Sequence, residues 1–184
     1  MDKPHLAFVV HKHHATALHY DFRIQVGKVM PSWAIPKGPT LDPKLKRLSV
    51  KVNDHDFDYR LFEGNIPEGH VGAGPVMRWD EGYYIPEIEL ADGKRALIEE
   101  IEEGNKVMRE GIKKGEIKFF LHGQKIKGSF ALVKTKNFPP GSSKDNWLMI
   151  KHDDKYVKKN YDAKDEDFSA YTGKTLEEIR QQAK

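Results

Sequence analysis

A chain of 184 residues is long enough to fold around a single core, and because it contains no cysteine it has neither disulfides nor thiolate metal ligands. Any transition metal must therefore be held by carboxylate oxygens and by nitrogens from the nine histidines. The formal net charge of +3 is too small to establish nucleic-acid binding, and the sequence has neither a membrane-length apolar run nor a secretory leader, so we expect a cytoplasmic protein with no membrane partner.

The first half of the chain predicts short strands separated by turn residues. Strand-like segments lie at 8–10, 18–26, 29–35 and 48–52, and prolines and glycines punctuate the links between them. Strands this short and this closely spaced are typical of a β-barrel or a β-sandwich.

The second half predicts one helix and three further strands. Apolar residues recur at helical spacing over 94–114, which indicates a surface helix that Gly104 can interrupt. Strand patterns return at three places, 116–121, 125–134 and 147–151.

The end of the chain is rich in charge. The Lys- and Asp-rich stretch 155–167 predicts a mobile segment, and Thr175 with Glu178 has the capping-box spacing of a short terminal helix. We therefore expect a single domain over 1–184, with its core at about 7–152 and a peripheral C-terminal segment at 153–184.

The segment 18–24 alternates large apolar residues with polar ones, as a strand does when one face is buried. Its apolar face can anchor the strand to the core, which leaves His19, Asp21 and Arg23 together on the other face. An imidazole and a carboxylate two residues apart can bind one divalent ion, and His13, in a preceding loop or strand end, can supply a third ligand. The pattern predicts a metal site with open positions for water and substrate.

Two alternatives stay open for this strand. Its polar face can be a solvated surface without a metal, and His11 or His14 can be the ligand in place of His13.

Cationic and hydrogen-bonding residues suited to phosphate follow further along the chain. Lys37 lies in a turn between prolines and a glycine, which can aim its side chain at a ligand. The apolar residues at 48, 50 and 52 are expected to face inward, which places Arg47 and, if the strand continues, His55 on the polar face. Each is equally an ordinary surface residue when taken alone. The basic stretch 44–51 can contact a nucleic-acid backbone.

Several motifs in fixed order resemble one known family. They read VHKHHA at 10–15, LHYDFR at 18–23, SWAIPKGP at 32–39 and KRLSV at 46–50, followed by DH at 54–55, DY at 58–59, FEG at 62–64, IPEG at 66–69 and WLMIK at 147–151. Together they resemble the 3′-phosphoesterase domain of bacterial and archaeal ATP-dependent DNA ligase D. The resemblance covers nearly all of 7–82 and returns at 116–152.

The resemblance implies a fold and an activity. The fold is mainly β, a compact closed β-barrel of about eight strands with short peripheral helices. The activity is a manganese-dependent healing of 3′ ends for non-homologous end joining, with Co²⁺ or Zn²⁺ as other candidate ions. A phosphodiesterase step removes a terminal ribonucleoside, and a phosphomonoesterase step removes the remaining 3′-phosphate to leave a 3′-hydroxyl.

The resemblance also assigns residues and partners. Three residues are expected to hold the metal: His13, His19 and Asp21. Five are expected to surround the scissile phosphate and take part in catalysis: Arg23, Lys37, Arg47, His55 and Tyr59. The implied partners are primer-template DNA ending in a ribonucleotide or a phosphate, and separate ligase, polymerase and Ku-type proteins. Ligase-linked members carry a further N-terminal arm with active-site contacts, and this sequence starts almost at its first strand, so the resemblance supports the phosphodiesterase step less than the phosphomonoesterase step.

Two other functions are compatible with the same residues. A catalytically idle end-binding module would keep the barrel and the basic groups and would recruit other repair enzymes. A non-haem iron oxygenase would use two histidines and a carboxylate as a facial triad, with a distal histidine such as His55 or His122 as the third ligand.

Overall fold

The computed structural model describes residues 3–182. The two ends of the expected domain, residues 1–2 and 183–184, lie outside the described residues. The described chain forms ten strands and two α-helices. They are β1 (Leu6–His14), β2 (Leu18–Ile24), β3 (Val29–Ile35), β4 (Arg47–Asp56), β5 (Gly64–Ile66), β6 (Gly74–Glu89), β7 (Arg95–Leu97), α1 (Ile101–Lys114), β8 (Glu116–Gly123), β9 (Lys127–Lys134), β10 (Asn146–Lys151) and α2 (Leu176–Gln181). Short 3-10 turns lie at Phe57–Leu61 and Ala163–Asp165.

Eight of the strands close into one antiparallel barrel. Hydrogen-bonded neighbours run β1-β2-β3-β4-β10-β9-β8-β6, and β6 returns to pair with β1. The short strands β5 and β7 pair with β6 beside this ring. Closure pairs the edges that an open sheet would expose. The predicted closed β-barrel of about eight strands with short peripheral helices is confirmed.

Large aromatic side chains fill the barrel. Trp33, Trp79 and Trp147 are buried, and the ring of Phe22 stacks on that of Phe119 with centroids 5.4 Å apart. On β2 the apolar residues point into this core, as their alternation predicts. The polar residues that alternate with them therefore project from the outer face of the barrel.

The longest strand, β6, was not predicted from the sequence. It contains prolines at 75 and 86, a glycine at 82 and several acidic residues, which together resemble turn punctuation. Gly82 instead marks a close strand crossing, because a Cβ there would lie 2.0 Å from the carbonyl oxygen of His122 on β8. The glycine in this segment therefore marks a close backbone contact between β6 and β8, not an interruption of β6.

Helix α1 is shorter than predicted. The Glu100 side chain accepts hydrogen bonds from the N–H groups of Glu102 and Glu103, so the helix begins at Ile101, and the residues before it form β7. Gly104 does not interrupt the helix. A Cβ there would lie 3.2 Å from Pro86 Cγ, so the glycine lets the helix pack closely on β6.

The prediction of a mobile segment at 155–167 is wrong. Tyr161 and Ala163 are buried in the core cluster, and the Trp79 Nε1–H donates to the carbonyl of Glu166 at 2.8 Å. The sequence pattern missed these buried contacts because they are few and are separated by charged residues. The capping box of Thr175 and Glu178 is present at the start of α2, as predicted. Among the described residues, no helix is both long and apolar enough to span a bilayer.

Candidate active site

The pairing of β1 with β2 brings the three predicted metal ligands together on the outer face of the barrel. His13 lies opposite His19 in the antiparallel register, and Asp21 is two residues further along β2. The Oδ2 atom of Asp21 lies 3.2 Å from His19 Nε2 and 3.9 Å from His13 Nδ1. One ligand atom from each residue lies within 4.8 Å of the other two, so the group could hold a metal ion.

Backbone carbonyls fix the orientation of both imidazoles. His13 donates its Nε2–H to the carbonyl of Gly72 at 2.6 Å, and His19 donates its Nδ1–H to the carbonyl of Ala17 at 3.0 Å. The nitrogens that face Asp21 are then the lone-pair nitrogens of neutral rings. Three acceptors converge on one point, which requires a cation or a proton between them. Histidines that ligate metals have this same arrangement, with the second N–H bonded to an outer partner. The residues present therefore fit a divalent ion.

The ionisation of this cluster favours a bound cation. Burial alone would raise the pKa of Asp21, but hydrogen bonds from protonated His13 and His19 and the charge of Arg23 hold that pKa well below its usual range. When a proton takes the place of an ion between the ring and the carboxylate, the hydrogen bond with Asp21 raises the pKa of His19. The carboxylate thus stays ionised, and the cluster attracts positive charge.

Arg23 connects the metal ligands to the predicted phosphate-binding residues. Arg23 is 4% exposed, and its guanidinium donates from Nη2 to Asp21 at 3.2 Å. Its Nη1 lies 3.1 Å from His55 Nδ1, and its Cζ lies 5.2 Å from the centre of the Tyr59 ring. The structure therefore brings Arg23, His55 and Tyr59 together beside Asp21.

His55 Nδ1 lies between a donor and an acceptor. It is 3.1 Å from Arg23 Nη1, which only donates, and 3.1 Å from the carbonyl oxygen of Asn53, which only accepts. Burial, followed by the charge of Arg23, lowers the pKa of His55, which favours the neutral ring. In the tautomer that accepts from Arg23, the proton is on Nε2, where it can bind an anionic oxygen.

A bulge in β4 puts His55 on this face. Ser32 pairs with Val52 but Met30 pairs with His55, so β4 contains an extra residue between the two pairs. The face of the strand changes at the bulge. The expectation that Arg47 and His55 share one face by simple alternation is therefore wrong.

The predicted inward face of β4 is also wrong. Lys51 pairs with Trp33 and Ser49 pairs with Trp147, and both tryptophans point into the core. The half-buried apolar residues at 48, 50 and 52 therefore lie on the outer face. Aromatic residues of other strands fill the core. The alternating apolar residues of β4 instead cover part of the outer surface of the barrel.

Lys37 and Arg47 lie beside the metal cluster and not within it. Both line a neighbouring cavity of about 480 Å³ at the ends of β3 and β4. Within residues 3–182 no side-chain hydrogen bond or ion pair connects either residue to Asp21 or Arg23. The predicted cationic surroundings are thus divided between Arg23 at the cluster and these two residues next to it.

His11 belongs to the site although the sequence offered it only as an alternative ligand. It is fully buried, donates its Nε2–H to the carbonyl of Phe62 at 3.0 Å and accepts the Nε–H of Arg23 on Nδ1 at 3.1 Å. Burial, followed by the charge of Arg23, lowers its pKa to about 3. The register places His11 opposite Asp21, two residues before His13 on the same strand.

The other alternative ligands are not part of the cluster. His14 is exposed and lies 2.9 Å from Arg180 Nη2, and His122 stacks on Tyr83 on β6. Because His55 Nδ1 faces Arg23, the third member of the group is His13. The distal-histidine arrangement of an oxygenase triad is not what the described residues form.

Comparison with known proteins agrees with this geometry. A family model described as the DNA Ligase D 3′-phosphoesterase domain matches residues 11–134. A multifunctional non-homologous end joining protein LigD of Pseudomonas aeruginosa is 42% identical over 149 residues, which cover 81% of this chain and 15% of that protein. The protein of the same name in Mycolicibacterium smegmatis is 36% identical over 162 residues, covering 88% of this chain and 18% of the relative. In Mycobacterium tuberculosis a LigD described as a DNA repair protein is 35% identical over 141 residues, or 77% of this chain and 15% of the relative. The chain thus spans less than a fifth of each relative.

Proposed function

The chain belongs to the family of DNA ligase D 3′-phosphoesterase domains, and we propose that it hydrolyses phosphate esters at the 3′ ends of nucleic acid with a divalent ion held by His13, His19 and Asp21. The ion we expect is Mn²⁺, with Co²⁺ or Zn²⁺ as substitutes. The observation that carries the proposal is the convergence of three lone-pair atoms beside the Arg23 guanidinium. The reactions proposed are removal of a terminal ribonucleoside and removal of the remaining 3′-phosphate.

A bound metal supplies two things at such a site: it neutralises phosphate charge and it lowers the pKa of water. The side chains around it supply the rest. Arg23 is fixed by His11 and Asp21, so its guanidinium is preorganised to bind a phosphate oxygen without further ordering. The Nε2–H of His55 binds a second oxygen or the leaving oxygen as charge develops there.

Tyr59 has a double role in this proposal. Its ring packs against the Arg23 guanidinium and the His55 ring, which holds both in place. Burial raises the pKa of Tyr59, so its hydroxyl stays protonated and can donate a hydrogen bond to phosphate. Lys37 and Arg47, next to this pocket, contribute positive charge for the phosphates of the strand.

The wider setting is also a proposal. The names of the relatives place them in non-homologous end joining, and we infer that this chain acts on primer-template DNA in the same process. Ligase, polymerase and Ku-type partners and a cytoplasmic location stay predictions, as does the treatment of 1–184 as one domain with a peripheral C-terminal segment.

The test is an end-healing assay. A labelled primer-template ending in one ribonucleotide, and a second ending in a 3′-phosphate, are incubated with Mn²⁺, Co²⁺, Zn²⁺ or Mg²⁺ and resolved on a gel. We expect metal-dependent conversion to 3′-hydroxyl ends, and Arg23→Ala should reduce it by about a hundredfold while a metal still binds. Arg109→Ala, at an exposed arginine of α1, is the matched control. If primers bind but no ion supports conversion, the chain is an end-binding module and the proposal fails.

A further inference from the structure

A cavity with an apolar floor and a cationic rim lies next to the metal cluster. It has a volume of about 480 Å³. Its floor and wall are formed by Pro36, Leu48, Leu148, Phe138 and Pro139. Its rim carries Lys37, Lys46 and Arg47. We call this cavity the side groove.

The strand register makes the side groove continuous with the metal cluster. Tyr20 pairs with Ile35, so the next residue, Pro36, lies beside His19. Ala34 pairs with Val50, which brings Leu48 beside Pro36, and Leu48 pairs with Leu148. These residues form one row across the outer face. Leu48 is two strand spacings from His19, about 10 Å.

Two groups in the side groove lack partners. The Nε atom of Arg47 is buried without a hydrogen-bond partner among residues 3–182, which is costly for a charged donor. Phe138 is 50% exposed at the edge of the floor. A flat apolar group would cover the phenyl ring, and anionic oxygens would pair with the cationic side chains that line the groove. A nucleotide carries both.

We propose that the side groove binds a nucleobase of the strand whose 3′ end lies at the metal cluster, with the base against Phe138 and an adjacent backbone phosphate at Arg47 and Lys46. This inference rests on the proposed function and identifies where that substrate is held. The three cations of the rim match a polyanionic strand, and an aromatic surface accepts any base because every base has a π face. A groove of this kind would select polynucleotide ends over small phosphate esters.

Binding is the first test, because it does not require turnover. A labelled primer with a 3′-phosphate is titrated with protein in the presence of a chelator and followed by fluorescence anisotropy. Phe138→Ala should weaken the Kd about tenfold, and Phe138→Trp should restore it. Phe168→Ala, at a phenylalanine that is 45% exposed outside the groove, should leave the Kd unchanged. Equal Kd values for the Phe138→Ala and Phe168→Ala variants would overturn the proposal.

An abasic scan then locates the base. Each of the last few nucleotides is replaced in turn by an abasic one, and one position should weaken binding to the wild type about tenfold. At that position the Phe138→Ala variant should lose nothing further, since the same contact is already absent. If no position is coupled to Phe138, the groove does not bind a base.

Turnover separates this proposal from the proposed function. With Mn²⁺ and a 3′-phosphate primer, Phe138→Ala should raise KM about tenfold with kcat unchanged. A wild type that releases no phosphate would contradict the proposed function, while the binding and abasic results would still decide the role of the groove. An active wild type with an unchanged KM for Phe138→Ala would contradict the groove alone.

Discussion

Two polar clusters in this barrel contain the same kinds of side chain but differ in how their donors and acceptors are matched. The metal cluster on β1 and β2 has two histidines, a carboxylate and an adjacent arginine. The second, which we call the closed cluster, lies on β6, β9 and β10 and the residues after β10. Its members are Glu87, Ser129, Lys151, His152 and Asp154.

Every contact in the closed cluster joins a donor to an acceptor. Ser129 donates its hydroxyl to Glu87 at 2.8 Å and accepts the Nδ1–H of His152 at 2.7 Å. Buried Lys151 pairs with Asp154 at 2.6 Å, and Asp154 also accepts the backbone N–H of Ser129. Such a network needs no ion. In the metal cluster, by contrast, three acceptors face each other.

The comparison shows that residue types do not distinguish a metal site from a structural network. The sequence His152-Asp153-Asp154 looks as suitable for a ligand set as the His19 to Asp21 pair. The difference is the direction of each N–H, which the backbone carbonyls of Ala17 and Gly72 determine at the metal cluster. Mutations matched between the two clusters test this distinction.

Removing one acceptor from the metal cluster should have the largest effect. Asp21→Asn keeps the size of the side chain but replaces one acceptor oxygen by a donor, so phosphate release from a 3′-phosphate primer should fall by about a thousandfold, beyond the 10- to 100-fold cost typical of outer partners of a ligand. Steady-state phosphate release with Mn²⁺ measures it. Asp154→Asn in the closed cluster should keep activity within about twofold. Equal losses in the two variants would erase the distinction.

Breaking the closed cluster should affect stability instead. Asp154→Ala leaves the Lys151 ammonium buried without its carboxylate, which should lower the free energy of unfolding by about 3 kcal/mol. Denaturant unfolding measures this loss. Asp153→Ala, at the exposed neighbouring aspartate, is the control and should change stability by less than about 0.5 kcal/mol. A stable Asp154→Ala variant that has lost phosphate release would instead place the closed cluster in the active site.

Two members of the metal cluster were predictable from a local signal, whereas the closed barrel and the choice of His13 came from the resemblance to the DNA ligase D family. The alternation within 18–24 determines which side chains of β2 enter the core, and it places His19 and Asp21 on one face without knowledge of any other strand. The local pattern left His11 and His14 open beside His13, and only the register of β1 with β2 places His13 opposite His19.

The features that escaped prediction all depend on distant partners. The bulge that brings His55 to the outer face exists only in the pairing of β4 with β3. Gly82 and Pro86 of β6 are explained only by their contacts with β8 and α1. The role of His11 requires the carbonyl of Phe62, which arrives from a loop 51 residues further along the chain. Periodicity within one segment carries no information about such contacts.

A divalent ion should stabilise the protein only through the metal cluster. At a Mn²⁺ concentration about a hundred times the Kd, binding to the folded state should add about 2.7 kcal/mol, and so should raise the Tm by at least about 5 °C. A chelator should reverse the shift. We expect His19→Ala to abolish it and His152→Ala to keep it, as followed by thermal unfolding with and without the ion. A shift that survives His19→Ala but disappears in His152→Ala would assign the ion to the closed cluster.

The smallest effect should come from His11, which acts on the phosphate through Arg23. Removing its Nδ1 acceptor in His11→Ala frees the Nε–H of Arg23 and loosens the guanidinium, so kcat/KM should fall about tenfold. Because burial lowers the pKa of His11 to about 3, the ring is neutral in the assay and the loss should not depend on pH above about 5. The Mn²⁺-induced rise in Tm should be retained, since the His11 side chain is not a ligand. His14→Ala, at the exposed histidine on the same strand, should leave kcat/KM unchanged. Loss of the Mn²⁺-induced rise in Tm in His11→Ala would make His11 a fourth ligand. The metal cluster would then extend along β1 from His13 to His11.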